Sequence, residues 1–484
     1  MKNIWVFMLL MATAGFCPAQ TDSRGIAVTA GDAFLSDTAL AGASMGFVVR
    51  GAAPGELLSG HNTNLTLVPA SAQKLLVSAA LLEALGPDHR FITRLIAEGT
   101  IDGEGVLHGN LRIMGGGDPA LASHRYSQHY GDVTGRMVLA VKQAGITAVN
   151  GVVKGDASLF GEPQIPDTWI WEDIGNYYGA PASGLNVYEN FYTLTFETDE
   201  PGSPARITGI NPYMPWLVFE NKVTAAADNR DNAYIYGSYL SGKREIRGTL
   251  PAHRESFSIK GSIPDPAFML ANHLSEQLLE SGLQITGGTQ SVFFSEDREQ
   301  QQVLLEIASP SLRELNRQLL MQSINLYAEA FLLHLAIHEK MQPTVENGCT
   351  ALADFWESRG MNTKGMFPED GSGLSRANGI TASQLAFVLE FMKSQSAFFG
   401  DFRQALPVSG ISGNLKSFGP GSPLAGNFAA KSGYMARVMN YAGYLQTASG
   451  RELTVVVLVN NYTCSNGRMR ELLENFMLEI YHKF

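Results

Sequence analysis

Ser71-Ala72-Gln73-Lys74 places a hydroxyl and an amine three residues apart, at the start of a segment with helical spacing. Residues three apart on a helix share a face, so Lys74 can reach the Ser71 hydroxyl. A serine hydroxyl is a poor nucleophile until a base takes its proton. Lysine serves as that base only when burial or a second cation draws its pKa from about 10.4 toward neutrality. A helix start adds backbone N–H groups that stabilise developing negative charge. Taken alone, the pattern fits a helix cap followed by a solvated lysine far better.

Two further clusters complement it. Lys431-Ser432-Gly433 puts a cation, a hydroxyl and a glycine where an edge strand is expected. Such a strand can hold an anionic substrate end, and glycine lets the substrate backbone approach closely. Ser323-Ile324-Asn325 lies between two helical runs, where a hydroxyl can shuttle a proton and an amide can orient a substrate. Ser412-Gly413-Asn414 repeats that pattern. The first copy is preferred, because a loop between helices projects both side chains into a cleft.

The elements that must position these residues are legible in outline. Ser44–Arg50 and a run from Leu57 read as two strands around a turn, and Ala70–Leu85 reads as a helix stopped by Gly86-Pro87. Phe91–Glu98 and Leu107–Met114 read as a hairpin around Asp102-Gly103. Residues 115–290 read mainly as short strands and turns. Trp169, Trp171, Tyr177 and Tyr178 fit a small domain core better than a glycan platform. Helices are expected from about 310, with Ser311 and Glu314 at capping-box spacing, and from Leu326 to Ile337. Asn440–Leu445 and Leu453–Val459 read as an antiparallel pair, followed by an amphipathic helix from about Arg468 to Tyr481. His334 and His338 share a helix face, but no third ligand is placed near them, so a packed helix face is expected rather than a metal site.

At 484 residues the chain is long enough for two or three domains. Its formal charge of −11 and the lack of a basic run argue against nucleic acid as a partner. Lys2, the apolar run Ile4–Ala12 and the small residues to Ala19 have the layout of a secretory signal peptide, cleaved after Ala19. Export leaves Cys349 and Cys464, far apart in sequence; one late disulfide between them is an open alternative. There is no phosphate-binding loop, dinucleotide fingerprint or Gly-x-Ser-x-Gly elbow.

The order Ser-x-x-Lys, Ser-x-Asn, Lys-Ser-Gly is the signature of penicillin-recognising serine enzymes. The chain resembles the class C low-molecular-mass penicillin-binding proteins, the D-alanyl-D-alanine carboxypeptidase/endopeptidase family. The resemblance spans nearly the whole mature chain. It includes Gly115-Gly116-Gly117-Asp118-Pro119, Trp171 with Tyr177–Pro181 and Leu185-Asn186, Asp370–Arg376, and Leu406–Gly410.

The resemblance implies a mixed α/β, β-lactamase/transpeptidase-like catalytic domain, an antiparallel sheet flanked by helices, with a β-rich two-part insertion. It implies a catalytic domain from 20–92 and 297–484, an inserted domain II from 93–118 and 187–296, and an inserted domain III from 119–186. Ser71 would be the acylated nucleophile and Lys74 its base. Ser323 and Asn325 would assist proton transfer and hold the substrate amide. Lys431, Ser432, Gly433 and Tyr434 would bind substrate, with an oxyanion hole from the Ser71 and Tyr434 amides. No metal or organic cofactor is implied. The implied partners are peptidoglycan stem peptides, β-lactams as covalent inhibitors, and a second copy of the chain as a candidate dimer, in the periplasm. The family commonly reads Lys-Thr-Gly-Thr; here Tyr434 replaces the last threonine, and its bulk is expected to weaken binding of a free terminal carboxylate. Carboxypeptidase and endopeptidase action both stay open. A β-lactamase is the nearest rival, and no Glu-x-x-Leu-Asn loop of the class A kind lies between Asn325 and Lys431. A peptidoglycan-binding protein on an impaired enzyme fold is the other.

Overall fold

The computed structural model describes residues 31–53, 55–162, 165–294 and 300–484. The proposed signal peptide, Cys17 and the expected border at 297 lie outside them.

A five-stranded antiparallel sheet carries the site. Its strands are β1 (Ser44–Arg50), β2 (Leu57–His61), β3 (Phe428–Met435), β4 (Val438–Gln446) and β5 (Glu452–Asn460), in the order β3-β4-β5-β1-β2. Chain ends far apart in sequence therefore meet: β1 pairs with β5, Phe47 opposite Val457. The inner strands are apolar at almost every position because helices cover both faces. Phe47, Val49, Val455, Val457 and Val459 pack with Met469, Leu473, Phe476 and Ile480 of the C-terminal helix Asn466–Lys483. Val48, Val456 and Leu458 face the opposite way, into the core that holds Leu75, Leu76 and Ala79. Alternation along each strand thus splits one hydrophobic run into two cores.

Helix α1 (Lys74–Leu85) belongs to the second core. Lys74 through Leu82 are all buried, so this helix is enclosed on every side rather than presenting one apolar stripe. It ends at Gly86, whose φ of 79° is costly for a residue with a Cβ. Helices α2 (Leu312–Gln322) and α3 (Asn325–His338) pack against it. The expected capping box forms: Ser311 Oγ accepts the Glu314 amide, and Glu314 Oε2 accepts the Ser311 amide at 2.9 Å.

Strand pairing divides the insertion differently from the sequence reading. Ala148–Asn150 and Val153–Asp156, expected in domain III, pair with Val106–Met114, expected in domain II. All three share a seven-stranded sheet with Ile92–Ile101 and Gln284–Ile285, joined by Thr289–Val292 and Gln301–Ala308. The last of these, expected in the catalytic part, pairs with Ile92–Ile101 instead. Phe191–Thr198 through Arg254–Ser262 form two separate three-stranded sheets. The cause is non-local: Leu111 pairs with Val153 and Ile92 with Ala308, far beyond any local pattern, and nothing in a strand's own sequence names its neighbour. Two helices in this stretch were also not anticipated, Val133–Gln143 and Pro266–Glu280. The second has a clear local start, Pro266 at its first position and Asp265 Oδ1 accepting the Phe268 amide at 2.8 Å.

Cys349 and Cys464 are both free thiols, which closes the disulfide alternative. His334 is buried, stacks on Phe91 at 4.0 Å between ring centres and contacts the Gly117 carbonyl at 3.2 Å. Burial draws its pKa down to about 3. It is a packing residue. Among the described residues no cluster of three metal-ligating side chains occurs, and no helix is long and apolar enough to cross a membrane.

Candidate active site

Ser71 sits in a 3-10 turn, Ala70–Gln73, that leads directly into α1. Ala70 adopts a left-handed φ of 45°, uncommon for a residue with a Cβ and held here by its surroundings. Asn440 of β4 donates to the carbonyls of Val68 at 2.9 Å and Pro69 at 2.8 Å. Asn460 of β5 accepts the Val68 amide at 2.7 Å. These two buried asparagines, set in otherwise apolar strands, fasten the approach to Ser71 onto the sheet. The sequence reading missed them; a buried-strand asparagine was the available signal.

Lys74 Nζ has three oxygen neighbours: Ser71 Oγ at 2.8 Å, Asn325 Oδ1 at 2.7 Å and the Ser372 carbonyl at 2.6 Å. Asn325 Nδ2 donates to the Tyr178 carbonyl at 2.8 Å, which fixes Oδ1 as the atom facing the lysine. Asn325 Oδ1 and the Ser372 carbonyl can only accept. A neutral amine has two hydrogens and one lone pair, so both hydrogens go to these acceptors. The lone pair is left for Ser71, the one neighbour with a proton to give. Burial draws Lys74 down to about 7, while Asp370 and Glu329 pull the other way.

The Ser372 carbonyl is itself held from beneath. Glu329 of α3 accepts the amides of Gly371 at 2.9 Å and Ser372 at 2.8 Å. Burial and the neighbouring Asp370 push the Glu329 carboxyl upward. Asp370 accepts from the amides of Gly373 at 2.7 Å and Ser375 at 2.6 Å, from Asn378 Nδ2 at 2.9 Å and from the Trp169 indole at 2.8 Å. Gln73 donates to the Asp370 carbonyl, joining this loop to the Ser71 turn. None of Glu329, Asp370 or Gln73 stood out by spacing. Trp169 is therefore a site buttress rather than the core of a separate small domain. Trp171 and Tyr177 are about half exposed.

Lys431 lies on β3, the edge strand, with its side chain fully buried and Nζ donating to the Ser432 carbonyl at 2.7 Å. Burial, and then the facing Lys74 charge, holds it well below the usual lysine range. Gly433 has the same orientation. A Cβ there would lie 2.3 Å from the Pro69 carbonyl oxygen and 2.9 Å from the Ala72 amide, so only glycine lets β3 press against the Ser71 turn. Ser432 and Tyr434 point to the other face of the sheet. Tyr434 is 55% exposed, and its hydroxyl accepts from Asn466 Nδ2 at 2.6 Å. Ser323 ends α2 with a left-handed φ of 60°. With Asn325, Tyr177 and Tyr178 it lines a cavity of about 400 Å³. The second Ser-x-Asn copy is placed elsewhere: Ser412 Oγ accepts the Val408 amide at 3.1 Å, and Asn414 lines a different cavity.

Residues 28–476 match the D-Ala-D-Ala carboxypeptidase 3 (S13) family. The chain belongs to this family. It is 29% identical over 473 residues to a D-alanyl-D-alanine carboxypeptidase of an Actinomadura species, covering 94% of this chain and 86% of that one. It is 26% identical over 432 residues to the D-alanyl-D-alanine carboxypeptidase DacB of Haemophilus influenzae, covering 87% and 86%. The crystal structure of penicillin binding protein 4 from Haemophilus influenzae superposes with a TM-score of 0.77 at 24% identity, over 91% of this chain and 96% of that one. The mixed α/β architecture with added β-rich sheets is that fold. Membership makes the chain a peptidase.

Proposed function

We propose that this family member is an exported acyl-serine peptidase of peptidoglycan. It cleaves after a D-alanine in stem peptides, at a terminal D-Ala-D-Ala or at a cross-link, and β-lactams inhibit it by acylation. The observation that carries this reading is the three-oxygen environment of Lys74, which leaves the lone pair of a neutral amine to Ser71.

Ser71 Oγ attacks the scissile carbonyl carbon as its proton passes to Lys74 Nζ. The amides of Ser71 and Tyr434 receive the negative charge on the carbonyl oxygen. The carbon–nitrogen bond then breaks and the leaving amine gains a proton, with Ser323 as the relay. Water hydrolyses the ester and the serine regains its proton. Asn325 holds Lys74 and the substrate amide. Lys431, on the Ser71 face of β3, draws in the carboxylate of the leaving residue, and an arriving carboxylate favours the charged form of this buried lysine. The absent Cβ of Gly433 brings β3 close to the turn. The layout of Lys2 to Ala19 supports export to the periplasm.

The test is the intact mass of the mature chain after brief exposure to benzylpenicillin, beside Ser71→Ala. A gain of one drug mass, absent in the variant, is expected. Turnover of the drug without a lasting adduct would favour a β-lactamase. No reaction in either protein would leave a peptidoglycan-binding protein.

A further inference from the structure

Tyr188, Glu189 and Asn190 have φ of 55°, 55° and 51°, the only run of consecutive left-handed non-glycine residues among the described residues. L-residues avoid this conformation, and it persists only where the surroundings over-determine it. Here they do. The Val187 amide donates to Asn190 Oδ1 at 3.1 Å. Asn190 Nδ2 donates to Asn186 Oδ1 at 2.8 Å and to the Pro181 carbonyl at 3.0 Å. The Tyr188 amide donates to the Leu121 carbonyl at 3.0 Å.

The turn drives the Glu189 side chain inward, to 4% exposure. Its Oε1 accepts from Ser123 Oγ at 2.7 Å and from the Tyr327 hydroxyl at 3.0 Å, and Arg125 Nε lies 3.0 Å from the same oxygen. One cation and two hydroxyls thus satisfy the carboxylate, as a buried charge requires. Tyr327 is the donor in its bond: burial, and then the Glu189 charge, push its phenol well above the usual tyrosine range.

Tyr327 belongs to the first turn of α3, two residues after Asn325. Residues two apart on a helix lie on nearly opposite sides, and residues four apart share a side. Asn325 and Glu329 therefore serve Lys74 and its Ser372 neighbour together, while Tyr327 reaches into the insertion. No side chain caps the start of α3. The insertion holds that first turn instead, at two points: the Tyr178 carbonyl accepts from Asn325, and Glu189 accepts from Tyr327.

We propose that Glu189 is a positioning residue for the reaction: by gripping Tyr327 it fixes the rotation of the first turn of α3, and with it the place of Asn325 beside Lys74. The inference rests on the proposed peptidase reading, in which Lys74 is the base. It gives the strained turn a task, since only the inward carboxylate of Glu189 reaches α3 from this segment of the insertion.

The experiment follows acylation by saturating benzylpenicillin in wild type, Tyr327→Phe, Ser123→Ala and Glu189→Gln. Intact mass reads both the rate constant and the final extent of labelling. Tyr327→Phe keeps the ring and removes only the bond to Glu189. Its rate constant should fall about tenfold, because a group beside the base is displaced slightly. Ser123→Ala takes the other hydroxyl from the same oxygen. Glu189→Gln loses the ion pair with Arg125 but keeps an acceptor for Tyr327. Both should stay within about threefold of wild type. All variants should label to completion, since an unfolded fraction lowers the extent of labelling and not the rate constant of the folded remainder. A wild-type rate constant in Tyr327→Phe overturns the assignment. An equal fall in Ser123→Ala or Glu189→Gln also overturns it, because the effect would then be a general loosening. Wild-type protein that takes up no drug at Ser71 overturns the peptidase reading beneath it instead.

Discussion

The indole of Trp169 donates to the carboxylate of Asp370 at 2.8 Å, across 201 positions of sequence. Trp169 comes from the inserted segment and Asp370 from the loop whose Ser372 carbonyl accepts from Lys74. The insertion is thus a structural support of the site and not an appendage. Trp169→Phe keeps most of the buried volume and removes one donor from a buried carboxylate. A stability loss of about 1–3 kcal/mol is expected, with slower drug acylation. Trp171→Phe, at an exposed ring, should change neither. Thermal unfolding and acylation rates measure both.

Lys74 with a pKa near 7 predicts the pH dependence of acylation. Below that value the lysine is protonated and has no lone pair for Ser71. The benzylpenicillin acylation rate should therefore rise about tenfold per pH unit on the acid limb and level off above about 7. The stability consequence has the same direction. An unfolded lysine keeps its proton to about 10.4, so between about 7 and that value the unfolded chain binds more protons. The Lys74 contribution to stability therefore grows as pH rises through this window. A pH-independent acylation rate between 5 and 9 would remove Lys74 as the base.

Gly433→Ala tests the contact between β3 and the Ser71 turn. The added carbon meets two backbone atoms, at 2.3 and 2.9 Å, and backbone cannot swing aside as a side chain can. The strand must retreat, and a displacement of that order costs about a hundredfold in rate. Gly209→Ala meets only ordinary contacts, the nearest at 3.8 Å, and should leave acylation unchanged.

His334 predicts a distinct acid sensitivity. Its folded-state pKa is drawn down to about 3, whereas an unfolded histidine titrates near 6.5. Between these values the unfolded chain binds the extra proton, so the stability from burying the neutral ring is lost as pH falls from about 6.5. His334→Phe should flatten that part of the stability curve, followed by urea unfolding from pH 7 to pH 4. An unchanged slope would show that the ring is protonated in place.

The parts of the site that could be read in advance are local. Ser71 and Lys74 are one helical turn apart, so their meeting follows from spacing alone, as do the Ser311–Glu314 capping box and the stop at Gly86-Pro87. The expected place of Ser323–Asn325 between two helices favoured it over Ser412–Asn414, and Asn325, which opens α3, is the residue that touches Lys74. The role of Trp169 was misjudged, because aromatic clustering in sequence carries no information about a partner two hundred residues away.

The sequence by itself determined the meeting of Ser71 with Lys74, the glycine-bearing edge strand and the order of elements around them. These depend on residue types a few positions apart, where helix and strand periods dictate which side chains share a face. Only the tertiary structure decided how deeply Lys74 is buried and which strands of the insertion pair. The drop in the Lys74 pKa comes from burial beneath α3 and the Asp370–Ser375 loop, and the sheets of the insertion come from strands that pair across long separations. Burial and long-range pairing are properties of the packed chain as a whole, and no local pattern encodes them.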